Sequence, residues 1–123
     1  MIKQAIIPLA GLGTRLLPLT SVFAKELLPI NGKPGIEYIL DECIDAGIKE
    51  VIFIISQKKL MIKKYFYSDK IYKNFIKNKK DPRIIKEYKK ILRYKKMIKF
   101  VFQKKPLGTG NAVLKTKKFI KSK

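Results

Sequence analysis

At 123 residues the chain has room for one small domain and a modest core. It carries 29 basic against 9 acidic residues, a formal net charge of +20, with no His and a single Cys, which excludes an internal disulfide, a His-based metal site and a Ser-His-Asp triad. No apolar run approaches the ~20 residues needed to cross a bilayer and no signal peptide precedes the first strand, so a cytoplasmic chain without a membrane partner is expected.

The charge is unevenly placed. Residues 1–56 hold 5 basic and 6 acidic residues, whereas residues 57–105 hold 19 and 3. Arg occurs only at positions 15, 83 and 93, so the excess is nearly all Lys, accompanied by much Ile, Tyr and Asn. Those residues share AT-rich codons, and biased base composition accounts for the excess without selection for a nucleic-acid partner. A small basic nucleic-acid-binding protein stays as an alternative resting on charge alone.

Residues 2–9 are almost continuously apolar and predict a buried strand. Gly11 and Gly13 follow it directly, where the chain can turn sharply with no Cβ in the way and expose N–H groups suited to a phosphate or a base edge. The spacing is neither that of a P-loop nor that of the dinucleotide fingerprint, whose third Gly is Leu16 here. An isolated Arg15 comes next, and then Lys25-Glu26 between Pro18 and Pro29.

Asn31-Gly32 predicts a turn with positive φ angles. Ile36, Ile39, Leu40, Cys43 and Ile44 form one apolar stripe of a helix over residues 35–46, closed by Gly47, with Glu37, Asp41, Glu42 and Asp45 expected to face water. Cys43 is read as a core residue, because no His or second Cys is present to activate it. Residues 51–55 form an unbroken β-branched and Phe run, the pattern of a central parallel strand covered on both faces.

Residues 57–96 are helical and strongly basic. One short stripe is Ile62, Tyr65 and Phe66; another is Ile84, Ile85, Tyr88, Ile91 and Leu92, opened by Asp81 as N-cap and Pro82 at the first helical position. Residues 77–80 between them are expected to form a loop, and the tyrosines to cap the core. Residues 99–102 alternate as a third strand, leading to a second Gly-rich turn, Gln103-Lys104-Lys105-Pro106-Leu107-Gly108-Thr109-Gly110-Asn111-Ala112-Val113.

Together the two turns resemble those of the sugar-nucleotide pyrophosphorylases, a family of nucleotidyltransferases. Gly11, Gly13, Thr14, Arg15, Pro18, Lys25 and Pro29 match its signature, and the A-G-L-G-T-R, K-E-L-L-P and K-P-G-I-E-Y-I runs are most similar to the bacterial UTP-glucose-1-phosphate uridylyltransferase branch. The resemblance implies an α/β fold, a Rossmann-like, mainly parallel sheet with flanking helices. It implies attack by glucose 1-phosphate on the α-phosphorus of UTP, giving UDP-glucose and pyrophosphate. A thymidylyl or adenylyl transferase on other sugars is the near alternative.

By resemblance, Arg15 and Lys25 are the catalytic residues. Arg15 would hold the β,γ-phosphates and the departing pyrophosphate, and Lys25 would neutralise charge near the reacting phosphorus. Ala10 and Gly11 would contact base and ribose, Gly13 and Thr14 the phosphates through their amides, and Glu26 would contribute to the same nucleotide site. Gln103 would supply an amide to the uracil edge and Gly108 would let the backbone approach the ring. Ala24 stands where the family commonly has Pro, and Asn111 where it commonly has His.

The family's chains run to about three hundred residues, so the resemblance covers about the first two fifths. Residues 1–123 are therefore expected to be the amino-terminal nucleotide-binding part of one domain, with the metal- and sugar-binding part absent. The Asp that holds Mg²⁺ in the family would lie beyond Lys123, and no metal ligand is identified within the chain. An incomplete chain, inactive alone, is expected, and the resemblance allows a homo-oligomer for the full-length enzyme.

Overall fold

Residues 51–55 are completely shielded from solvent, as befits a strand with a neighbour on each side and side chains packed on both faces. The computed structural model describes the chain apart from residues 1, 12, 80, 105–112, 115, 118–119 and 121–123. In chain order the elements are β1 (Gln4–Pro8), β2 (Pro29–Ile30), β3 (Lys33–Pro34), α1 (Gly35–Asp45), β4 (Glu50–Ile55), α2 (Leu60–Tyr67), α3 (Asp69–Lys79), α4 (Pro82–Met97) and β5 (Ile98–Phe102). Short 3₁₀ turns lie at Thr14–Leu16, Leu19–Ser21, Lys25–Leu27 and Gln57–Lys59.

The main sheet has the order β1-β4-β5 and is parallel throughout. Ala5 pairs with Val51, and Val51 in turn with Ile98. Alternation along β4 sorts its side chains. Val51, Phe53 and Ile55 join Ile36 and Leu40 of α1, Ile62 and Phe66 of α2, and Ile91 and Tyr94 of α4 in one cluster. Each such side chain contributes roughly 1.5–3 kcal/mol on burial. Ile52 and Ile54 point to the opposite face, where they meet Val101 and Ile6.

The local punctuation follows its chemistry. Asn31 and Gly32 take φ of 52° and 76° in the turn between β2 and β3. Helix α1 ends at Gly47, φ 82°, with the Gly47 amide donating to Ile44 O (3.0 Å) and that of Ile48 to Cys43 O (2.9 Å), the paired bonds of a Schellman motif. Cys43 is half-buried against the core, and burial, followed by the charge of Glu42, pushes its thiol pKa up. At the start of α4, Asp81 accepts from the Arg83 amide at 2.9 Å, with Pro82 at the first helical position.

Two expectations need correction. The polar face of α1 does not all meet water: Glu37 is 1% exposed, accepts from the Tyr65 hydroxyl and lies 3.0 Å from Lys90 Nζ. Asp41, half-buried, accepts from Tyr94 Oη at 2.6 Å and pairs with Lys33. The basic helices fold back over that face, so their tyrosine hydroxyls and lysines meet the carboxylates. Residues 77–79, expected as loop, complete α3, which packs on α4 through Tyr72 stacked on Tyr88 at 5.4 Å. Among the described residues no helix is long and apolar enough to cross a membrane.

Candidate functional site

Parallel strands end together, and here their carboxyl ends are held in line by two bonds: Leu9 N to Ile54 O at 2.7 Å and Gln103 N to Ile55 O at 2.9 Å. Leu9-Ala10-Gly11, Ser56 and Gln103 thereby directly follow three adjacent strands. Such an edge is where open α/β sheets take ligands. Ala10 and Gln103 are buried, 7% and 4% exposed.

The two glycines of the first loop differ in what they do. Gly13 has φ of 66°, and its carbonyl accepts both the Leu16 amide (3.1 Å) and the Thr20 hydroxyl (2.6 Å). A Cβ there would come within 3.0 Å of Thr20 Cγ2. Glycine is thus required by the turn itself. At Gly11 an added Cβ would meet nothing within 4 Å among the described residues. Its bareness leaves space instead of relieving a clash.

From Gly13 the chain winds through the 3₁₀ turns Thr14–Leu16 and Leu19–Ser21 to Ala24. Ala24 is 3% exposed, has φ of −67°, the value proline would impose, and donates its amide to Met61 Sδ at 3.1 Å. The turn Lys25–Leu27 follows, presenting Lys25 to solvent and turning Glu26 inward. Glu26, 8% exposed, accepts from Lys59 Nζ at 2.7 Å, and Lys59 is itself only 6% exposed.

This buried pair ties the turn carrying Lys25 to the turn Gln57–Lys59 that leaves β4. Between them is a cavity of about 530 Å³ whose lining includes Gly11, Gly13, Lys25, Ser56, Lys58 and Lys59. Among the described residues the lining contains three lysines and no carboxylate, a composition suited to an anion. Leu17, Val22 and Phe23 give it an apolar side.

Of the residues singled out in the sequence, Gly11, Gly13 and Lys25 line the cavity, Ala10 is buried beside it, and Glu26 is buried behind Lys25. Thr14 and Arg15 start the first 3₁₀ turn; Arg15 is exposed and outside the lining. Gln103 follows the neighbouring strand and is likewise outside it. Gly108 and Asn111 lie outside the described residues.

Sequence reading missed Thr20, Ser56 and Lys59. Lys59 falls at the spacing of Ile62 and Phe66 on the buried stripe of the following helix, which was a readable signal. Ser56 and Thr20 carried none. No trio of His, Cys, Asp or Glu side chains among the described residues could hold a metal ion, and Glu26 is engaged by Lys59. These side chains do not fit a divalent cation.

The sequence matches the Nucleotidyl transferase family over residues 4–123. The chain belongs to that family. Among curated relatives, this nucleotidyl transferase is 44% identical over 119 residues to the UTP-glucose-1-phosphate uridylyltransferase of Mycoplasma pneumoniae, covering 97% of this chain and 40% of that protein. It is 39% identical over 120 residues to that of Bacillus subtilis, covering 97% and 40%.

Among solved structures, UDP-glucose pyrophosphorylase from Acinetobacter baumannii superposes with a TM-score of 0.78 at 30% identity, covering 98% of this chain and 42% of that one. A UTP-bound UGPase from the same organism gives 0.76 at 31% identity, covering 97% and 42%. The chain therefore spans about two fifths of the length of the relatives it matches.

Proposed function

We propose that this nucleotidyl transferase chain forms the nucleotide-binding part of a uridylyltransferase that joins UTP and glucose 1-phosphate into UDP-glucose with release of pyrophosphate. The observation that carries the reading is the lysine-lined cavity walled by the Gly11–Gly13 loop at the carboxyl ends of parallel strands. Curated relatives bearing the uridylyltransferase name and a neighbour that binds UTP support the choice of nucleotide. Residues 1–123 are, on this reading, one continuous portion of a single catalytic domain.

In the reaction a phosphate oxygen of glucose 1-phosphate forms a bond to the α-phosphorus of UTP as the bond to the β-phosphate breaks. No protein nucleophile is needed, and the protein's task is alignment and charge neutralisation. Lys25, on the cavity wall, would neutralise the reacting phosphates. Arg15, exposed on the adjoining turn, would take the β- and γ-phosphates from the solvent side. Backbone amides of Gly13 and Thr14 would add to that neutralisation; Ala10 and Gly11 would face base and ribose, with Gln103, just past the neighbouring strand, reading the uracil edge and Gly108 admitting the ring. Glu26 would act behind Lys25 by holding Lys59.

The resemblance implies Mg²⁺, but the described side chains do not fit it and no step here runs through a metal. We also place the chain in the cytoplasm, where UTP and sugar phosphates are held. Equilibrium titration with UTP, dTTP and ATP tests the proposal: UTP should bind most tightly, with a dissociation constant weaker than that of full-length relatives. Preference for dTTP or ATP, or a turnover rate by this chain alone equal to that of a full-length relative, would overturn it.

A further inference from the structure

Ser56 is the first residue beyond β4, and its side chain is oddly idle. It occupies the N-cap position of the turn Gln57–Lys59, where a serine hydroxyl ordinarily accepts from a backbone amide, yet it makes no capping bond. Its carbonyl accepts the Lys59 amide at 2.9 Å, but its Oγ is buried with no hydrogen-bond partner among the described residues. An unpartnered buried hydroxyl is costly and uncommon in native proteins. Ser56 lines the same cavity as Gly11 and Lys25.

Two residues on, Lys58 lines the cavity from the same turn and is exposed. Lys59 is directed away into Glu26, and that buried pair fixes the turn bearing Ser56 and Lys58 against the turn bearing Lys25. Opposite walls thus each offer an ammonium, with a hydroxyl donor on one side. We infer that Ser56 and Lys58 form a second wall of the phosphate site, Ser56 Oγ donating to a phosphate oxygen that Lys25 approaches from the other side.

The inference rests on the functional reading above only for whose phosphate is bound. Calorimetric titration of the chain and of Ser56→Ala, Ser56→Thr and Lys58→Ala with UTP, inorganic tripolyphosphate and uridine tests it, with urea unfolding as the control for folding. Ser56→Ala should weaken UTP and tripolyphosphate about tenfold and leave uridine unchanged, Ser56→Thr should restore the loss, and the unfolding midpoint should stay or rise. Lys58→Ala should weaken both phosphate ligands several-fold, and more at low salt.

Equal UTP binding by Ser56→Ala overturns the inference, leaving the hydroxyl to water, and an equal loss toward uridine overturns it in favour of a ribose or base contact. If the chain takes tripolyphosphate but not UTP, the uridylyl reading fails while a tripolyphosphate loss in Ser56→Ala upholds the inference. If it takes neither, both fall.

Discussion

Lys59 Nζ lies 2.7 Å from Glu26 Oε1, with both side chains less than a tenth exposed. The two residues are far apart in sequence and belong to different 3₁₀ turns, so the pair acts as a cross-brace under the cavity. Removing one partner strands a buried charge. Lys59→Met or Glu26→Leu alone should cost about 3–5 kcal/mol of stability, while the two together should recover most of it. Urea unfolding of the two singles and the double checks this; additive losses would show that the pair is not coupled.

The glycines of the first loop predict opposite outcomes. Gly13→Ala places a Cβ at φ 66° and 3.0 Å from Thr20 Cγ2, and should destabilise by about 1–2 kcal/mol or more. Gly11→Ala meets nothing among the described residues. It should change stability by less than about 0.5 kcal/mol and yet weaken UTP binding severalfold. Thermal unfolding and titration of both variants separate the turn requirement from the ligand requirement.

Ala24 and Met61 should behave as a unit. The φ of −67° at Ala24 already suits proline, but its amide points at Met61 Sδ from 3.1 Å, where the ring carbons would have to go. Ala24→Pro should therefore cost about 1–3 kcal/mol through overpacking. Met61→Ala added to it should return much of that loss, a coupling that a double-mutant cycle measures directly.

Stability should be flat near neutrality and fall on both sides. Burial raises the Asp41 pKa, but the bonds from Lys33 and Tyr94 outweigh it and hold the carboxyl below its ordinary value. Its contribution is fully present above the unfolded value of ~4 and is lost as pH falls through the folded one. Burial and then the Glu37 carboxylate push Tyr65 up; burial and then Asp41 do the same to Tyr94. Lys90 would be lowered by burial, yet Glu87 and Glu37 raise it overall.

These three groups contribute below their unfolded values near ~10, and that stability is lost as pH rises through the folded ones. Denaturation midpoints across pH check both limbs. Asp41→Asn should flatten the acid limb, and Tyr65→Phe with Tyr94→Phe should flatten the alkaline one.

Much of the fold was legible because it is written in local periodicity. The stripe from Ile36 to Ile44, the run of residues 51–55 and the Asn31-Gly32 and Asp81-Pro82 signals each carry their own physical cause, and each stands where expected. Only the end of the third helix was misread: Lys77-Asn78-Lys79 has a loop-like composition with no apolar residue, yet it completes a helix that packs on α4 through Tyr72 and Tyr88. Glu37 misled because its burial depends on Tyr65 and Lys90, residues brought there only by tertiary packing. The motif glycines were plain in the sequence and Lys59 sat on a readable stripe, but Ser56 acquires meaning only once the end of β4 faces the Lys25 turn.

The complete shielding of residues 51–55 has an experimental use. Their amides are locked between two parallel neighbours, so deuterium can reach them only when the whole sheet opens, and their exchange rates measure global stability. The turn carrying Lys25, by contrast, is joined to the segment after β4 by Glu26 to Lys59 and by the Ala24 amide to Met61. A nucleotide settling among them would slow exchange of the strand by its full binding energy, and exchange near Lys25 and Ser56 by at most the same factor. The central strand thus supplies an internal clock against which ligand-induced ordering of the loops can be timed.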